Sequence, residues 1–193
     1  MKAINAWFGA AALLALSQAA EAAPVQWTVG SGGNDHWYEY VATPGTYSQA
    51  ETGAAATIGG YLATITSTGE NAFITGLLTP DVAAAYLGGT DTATEGTWVW
   101  GTLEPFSYTN WTAGEPNDSG GEDYLSIYGA FAVALWGGDR PIGSWNDVNA
   151  DYQFGYVVEY NVSPVPLPAA LPLFGAGLAA FGVFARKRRR MAA

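Results

Sequence analysis

The chain has 193 residues, with 17 Asp and Glu, 7 Lys and Arg, one His and no Cys. Without cysteine there is no disulfide framework, no thiolate zinc site and no cysteine nucleophile, and a lone His36 excludes a multi-histidine metal centre within one chain. The bases are segregated: Lys2 and Arg186 to Arg190 hold six of the seven, so between Ala23 and Ser163 Arg140 alone faces 16 acids, a formal charge of −15. Such a body repels phosphate backbones and attracts cations, which argues against nucleic-acid binding.

In chain order, Met1 to Ala22 reads as a secretory signal peptide. Lys2 is the positive n-region, Ala6 to Leu16 the apolar stretch, and Ala20-Glu21-Ala22 the small-residue recognition site, with the cut before Ala23. A short buried helix is the alternative. The mature domain, Ala23 to Ser163, then works outside the cytoplasm. Trp37 to Val41 alternates and predicts a strand. Thr46 with Gln49 matches a capping box opening a helix to Thr57, stopped by Gly59-Gly60. Tyr61 to Thr66 predicts an extended segment. Ser67-Thr68-Gly69-Glu70 is a second capping box, opening a helix to about Leu78 before Pro80. Tyr86 to Gly89, Tyr124 to Ile127 and Phe154 to Tyr160 predict further strands. Between them, from Asp91 onward, runs a Gly-, Thr- and acid-rich stretch interrupted by Trp98-Val99-Trp100. Long irregular stretches in a small domain are usually functional. Helices grouped early among strands make an α+β domain.

The last segment, 164 to 193, has three parts. Val165-Pro166-Leu167-Pro168 precedes the uncharged stretch Ala169 to Ala185, and Arg186 to Arg190 close it. The stretch spans about 25 Å as a helix, barely a bilayer core. This order resembles the PEP-CTERM sorting tail. The resemblance implies a Gram-negative bacterium, export through its inner membrane to the cell surface, outer envelope or extracellular matrix, transient membrane contact, and an exosortase that removes the tail. A retained tail anchor is the alternative.

Two clusters carry the chemistry: Glu115-Pro116-Asn117-Asp118 with Glu122-Asp123, and Trp145-Asn146-Asp147, with Asp91 and Glu95 upstream. Gathering carboxylates without bases costs free energy through repulsion, and a hard divalent cation removes that cost. Calcium takes six to eight oxygens from carboxylates, amides and backbone carbonyls. These residue types suit it, whereas zinc does not fit and magnesium fits poorly.

From Trp37 to Tyr160 the residues resemble the C-type lectin-like domain. Gly59-Gly60-Tyr61-Leu62-Ala63-Thr64-Ile65, Glu70-Asn71-Ala72-Phe73-Ile74, Tyr86-Leu87-Gly88-Gly89, Asn110-Trp111 with Glu115-Pro116-Asn117, and Trp145-Asn146-Asp147 stand in the family's order. The resemblance implies the C-type lectin-like fold, two helices with antiparallel sheets and a long calcium-binding loop. It implies a principal calcium site of Glu115, Asn117, Glu122, Asn146 and Asp147, at which two sugar hydroxyls complete the ion's shell while the same acids and amides hydrogen-bond them. In calcium-bound members the Glu-Pro bond is cis. An auxiliary calcium site would use Asp91, Glu95, Asp118 and Asp123, with Glu122 shared. The acid-then-amide order of Glu115 and Asn117 goes with mannose- and glucose-type sugars in that family.

Two departures stand out. The family's disulfide positions fall on Ala55 with Val158 and on Tyr124 with Ala150, and Gly129 to Ser144 is an insertion whose Trp136 and Arg140 could line a sugar site. Trp98, Trp100 and Trp111 are expected in the core, and His36 at the surface or a strand edge. The expected function is calcium-dependent binding of a carbohydrate or exopolysaccharide, without enzymatic activity. The alternatives are an adhesive matrix protein in which calcium only orders the loop, and, third, a glycosidase using Glu115 with Glu122 or Glu122 with Asp147.

Overall fold

The computed structural model describes residues 23–164. The segments expected as a signal peptide, 1–22, and as the sorting tail beyond Pro164 lie outside the described residues. Among the described residues no helix is long and apolar enough to cross a membrane.

The strands are β1 (Val25–Gln26), β2 (Trp37–Gly45), β3 (Gly60–Leu62), β4 (Ala84–Thr90), β5 (Val99–Trp100), β6 (Tyr124–Tyr128), β7 (Trp145–Val148) and β8 (Phe154–Tyr160). The helices are α1 (Tyr47–Ala56), α2 (Thr68–Leu77) and α3 (Ala132–Trp136). The sheet runs β1-β2-β8-β4-β6-β7, with β3 added to β8 and β5 to β4. Pairing β2 with β8 brings the two ends of the domain together. The antiparallel expectation holds for the strand pairs except β4 with β8, which run parallel and make the sheet mixed. The third helix, α3, lies within the segment 129–144 that the resemblance marked as an insertion, and was not expected. It has five residues and no side-chain cap, so nothing local announces it.

The first capping box forms as expected. Gln49 N–H donates to Thr46 Oγ1 (3.3 Å) and Thr46 N–H to Gln49 Oε1 (2.9 Å). Tyr47, Ala50 and Ala54 then share one buried face at helical spacing. The chain leaves α1 at Thr57, two residues before the glycines. Gly60 serves close approach: a Cβ there would stand 2.7 Å from the Ala54 carbonyl oxygen and 2.9 Å from Val158 Cγ1.

The second capping box forms only by half. Ser67 Oγ accepts from Glu70 N–H (3.2 Å), but the Glu70 carboxylate does not return to Ser67. It accepts instead from Thr66 N–H (2.7 Å), the Thr66 hydroxyl (2.8 Å), the Tyr38 hydroxyl (2.6 Å) and Asn34 Nδ2 (3.1 Å). A carboxylate this buried needs donors from several elements, and those outcompete the local cap. His36 belongs to the same network. It is half-buried, and its Nδ1 lies 2.6 Å from Glu159 Oε1, so it is not a plain surface residue. Burial pushes the Glu159 carboxyl up, while Thr64 N–H and His36 oppose the shift.

One core cluster holds Ile65, Ile74, Leu87, Trp98, Trp100, Leu125, Ile127 and Trp145, with Trp111 packed against it half-buried. The other, under α1, holds Tyr47, Ala54, Leu62, Tyr86, Val158 and Tyr160. At the first lost disulfide position Ala55 is exposed, and Ala54 is the residue that packs in the cluster with Val158. At the second, the Tyr47 and Tyr124 rings lie 4.1 Å apart and Tyr47 N–H donates to the Ala150 carbonyl (3.0 Å). Apolar packing and a backbone bond stand where the resemblance implied covalent staples.

Candidate functional site

β7 places the second acidic motif. Side chains alternate along a strand. Trp145 turns inward, where it is fully buried and its Nε1 donates to Asn71 Oδ1 (2.7 Å). Asn146 turns to the other face, opposite Ser126 of β6, and lines a cleft of about 350 Å³. Asp147 shares the face of Trp145 and is 1% exposed. It sits under the 115–118 turn: Oδ2 accepts from Asn117 N–H (2.8 Å) and Asp118 N–H (2.7 Å). Asp147 Oδ1 is buried and accepts no hydrogen bond.

The Glu115–Pro116 bond is cis. Asn117 Nδ2 donates to Glu115 Oε2. Glu122 Oε2 accepts from Ser119 N–H (3.1 Å), and Glu122 N–H donates to Asp118 Oδ1 (2.9 Å). Glu115, Asn117, Glu122 and Asn146 line the cleft together. Burial pushes the Glu115 carboxyl from the ordinary 4.5 up to about 7, and neighbouring Asp147 and Glu122 add to the shift, against Asn117. Glu122 is raised by burial and by Asp147.

The upstream cluster is separate. Oxygens of Asp91, Glu95 and Asp123 lie within 4.8 Å of one another. Asp91 is 1% exposed; its Oδ2 accepts from Gly96 N–H (2.9 Å), and its Oδ1 is buried without a partner. Asp91 and Glu95 are raised, by desolvation first and then by neighbouring acids. Asp118, the fourth residue expected there, is not in this trio. Its φ is +48° and it caps Glu122, although its charge adds to the shifts of Glu95 and Glu122.

The donor set is therefore oxygen-only, and each cluster contains one buried carboxylate oxygen without a hydrogen-bond donor. Buried acceptors are ordinarily satisfied, so these two fit a hard cation. Without a cation the pH response has a definite sign. Glu115 is raised on folding, so the folded state holds a proton that the unfolded state has already released. The chelated protein should lose stability as pH rises from about 4.5 through 7, and Glu115→Gln should remove much of that slope. Melting curves across this range in chelator check it; an unchanged slope in the variant would contradict it.

Sequence reading missed part of the cleft. Tyr128, Tyr152 and Phe154 also line it, as does the expected Trp136. Tyr128 could have been found: it lies two residues from Ser126 on β6 and so shares its face. Tyr152 carries no such signal.

The lectin C-type domain family model matches residues 43–159. The chain belongs to this family. Pulmonary surfactant-associated protein D of Bos taurus is 39% identical over 90 residues, covering 46% of this chain and 21% of that protein, so the lectin spans about a fifth of that relative's length. The cow carbohydrate-recognition domain of CD23, solved in the presence of GlcNAc2Man3 oligosaccharide, superposes with a TM-score of 0.55 at 26% identity, covering 66% of this chain and 88% of that one. Herring type II antifreeze protein superposes with a TM-score of 0.57 at 20% identity, covering 67% and 94%, a likeness of fold alone.

Proposed function

We propose that this lectin domain is an exported, calcium-dependent carbohydrate-binding module of the mannose and glucose type. The observation that carries the reading is one cleft edge bearing Glu115, Asn117, Glu122 and Asn146, backed by the unpartnered Asp147 Oδ1. Calcium held by these five residues would offer coordination positions to two neighbouring sugar hydroxyls. Glu115 and Glu122 would accept hydrogen bonds from those hydroxyls, and Asn117 and Asn146 would donate to them. Asp147 positions the turn through the two backbone N–H groups it holds. Asp91, Glu95 and Asp123, with Asp118 nearby, would hold a second ion that orders the loop.

A raised Glu115 is also what a glycosidase general acid needs. A cation on Glu115 would favour the ionised form and remove that capacity, so we assign binding rather than turnover. One fold can host unrelated functions, which leaves a second reading, in which the fold serves adhesion and calcium only orders the loop.

A glycan array probed in calcium and in chelator separates these readings. Mannose-type sugars should bind in calcium alone and compete better than galactose. Exchanging acid and amide, Glu115→Gln with Asn117→Asp, should weaken or invert the preference by about tenfold, since a mismatched buried polar group costs roughly 1–3 kcal/mol. Tight galactose binding with no mannose binding would contradict the specificity. Calcium-dependent stability without sugar binding would favour adhesion.

The same proposal covers export and sorting. Mature protein from the native host should lack Arg186 to Arg190, and intact-mass measurement showing them retained would leave the tail-anchor alternative.

A further inference from the structure

Arg140 is the one base among the residues from Ala23 to Ser163, in a stretch with 16 acids. A lone guanidinium in such surroundings would be expected to seek a carboxylate. Among the described residues, however, the one ion pair is His36 with Glu159, at 2.6 Å. Arg140 instead donates to the Gly137 carbonyl and lies 5.8 Å from the centroid of the Tyr128 ring. These two contacts hold it on the lining of the cleft that Glu115 and Asn117 also line.

The insertion brings more than a charge. Trp136, 39% exposed, lies 6.1 Å from the Tyr128 ring and 6.0 Å from Phe154, and Phe154 stacks on Tyr152 at 5.2 Å. Four aromatic rings therefore make one connected surface beside the guanidinium. Aromatic faces take the apolar side of a pyranose ring, while a few placed polar groups fix its orientation. A volume of about 350 Å³ lies within the usual range for small-ligand clefts.

We propose that this end of the cleft is a second sugar subsite that selects a uronic acid. Arg140 pairs its carboxylate while Trp136 and Tyr152 take its ring, next to the sugar held at Glu115 and Asn117. The inference rests on the calcium–sugar reading of that neighbouring end. A guanidinium meets a carboxylate with two parallel hydrogen bonds, a geometry that a neutral hydroxymethyl group cannot reproduce. The body's charge of −15 sets a further limit. It repels a polyanion, although exposed charges are largely screened beyond about 8 Å at physiological salt. The ligand class is thus a mostly neutral polysaccharide with occasional uronate residues, not a polyuronate.

Two probes test this: a mannose-type oligosaccharide carrying one glucuronate, and the same oligosaccharide after carboxyl reduction. In calcium, the wild-type lectin should bind the acidic form about tenfold more tightly, which is about 1.4 kcal/mol. Arg140→Gln should abolish that advantage, so that the acidic and reduced forms bind the variant equally, and Arg140→Lys should keep part of it. Equal affinities in the wild type, or an advantage that survives Arg140→Gln, would overturn the inference. Calcium-dependent binding of both forms at equal affinity would overturn it and leave the calcium–sugar reading intact. An acid preference that depends on Arg140 but persists in chelator would do the reverse.

Discussion

Trp145→Ala is expected to destabilise the lectin by about 3–5 kcal/mol, a large fraction of the roughly 5–15 kcal/mol that holds a domain folded. The indole is fully buried, and rings of Tyr108, Trp111 and Trp100 surround it at centroid distances of 5.5, 5.7 and 5.8 Å. Removing it leaves a cavity at the centre of the larger core cluster. It also strands Asn71 Oδ1, which accepts from the indole N–H. Trp145→Phe should cost less, about 1–3 kcal/mol, chiefly for that buried acceptor. Urea unfolding followed by far-UV circular dichroism gives both values. The effect reaches the site, because Trp145 anchors the strand that carries Asn146 and Asp147. Sugar affinity should therefore fall in Trp145→Ala even where the domain remains folded.

Calcium should raise the melting temperature. A ligand that binds only the folded state contributes about 2.7 kcal/mol at a hundredfold excess over Kd, on the order of 5–10 °C for a domain of this size. Two features make the gain large here. The buried Asp91 and Asp147 each keep one oxygen without a donor, and Asp91, Glu95, Glu115 and Glu122 are all raised by desolvation and mutual repulsion. Asp147→Ala should abolish most of the rise. It also removes the acceptor for Asn117 and Asp118 N–H, so the variant should melt lower in chelator too. Identical wild-type curves in calcium and chelator would contradict the metal reading.

What the sequence made legible followed from local physics. The Thr46–Gln49 box needs only residues three apart, and it forms. Ser67 and Glu70 satisfy the same rule, but Asn34 and Tyr38 claim the Glu70 carboxylate from distant positions, which no local pattern reveals. β4 and β8 are apolar runs and were visible. α3 was not, since a five-residue helix without a side-chain cap has neither periodicity nor a start signal. At the site, the identity and order of the oxygen-bearing residues pointed to one place. Their division between faces depended on β7 being a strand, because alternation puts Asn146 in the cleft and Asp147 beneath the turn. Asp118 was grouped with Asp91, Glu95 and Asp123 through the family resemblance; a left-handed backbone turns its Oδ1 toward Glu122 N–H, while its charge still adds to the shift of Glu95. Of the aromatic lining of the cleft, Trp136 was expected, whereas Tyr152 and Phe154 stayed hidden because such residues have the same composition as the core.

The most direct measurement is an equilibrium isotherm for a mannose-type oligosaccharide on the wild-type domain, taken in calcium, in chelator, and after calcium is restored. The account predicts saturable binding that disappears with the chelator and returns with the ion. Binding that is the same in all three conditions, or absent from all three, would contradict it.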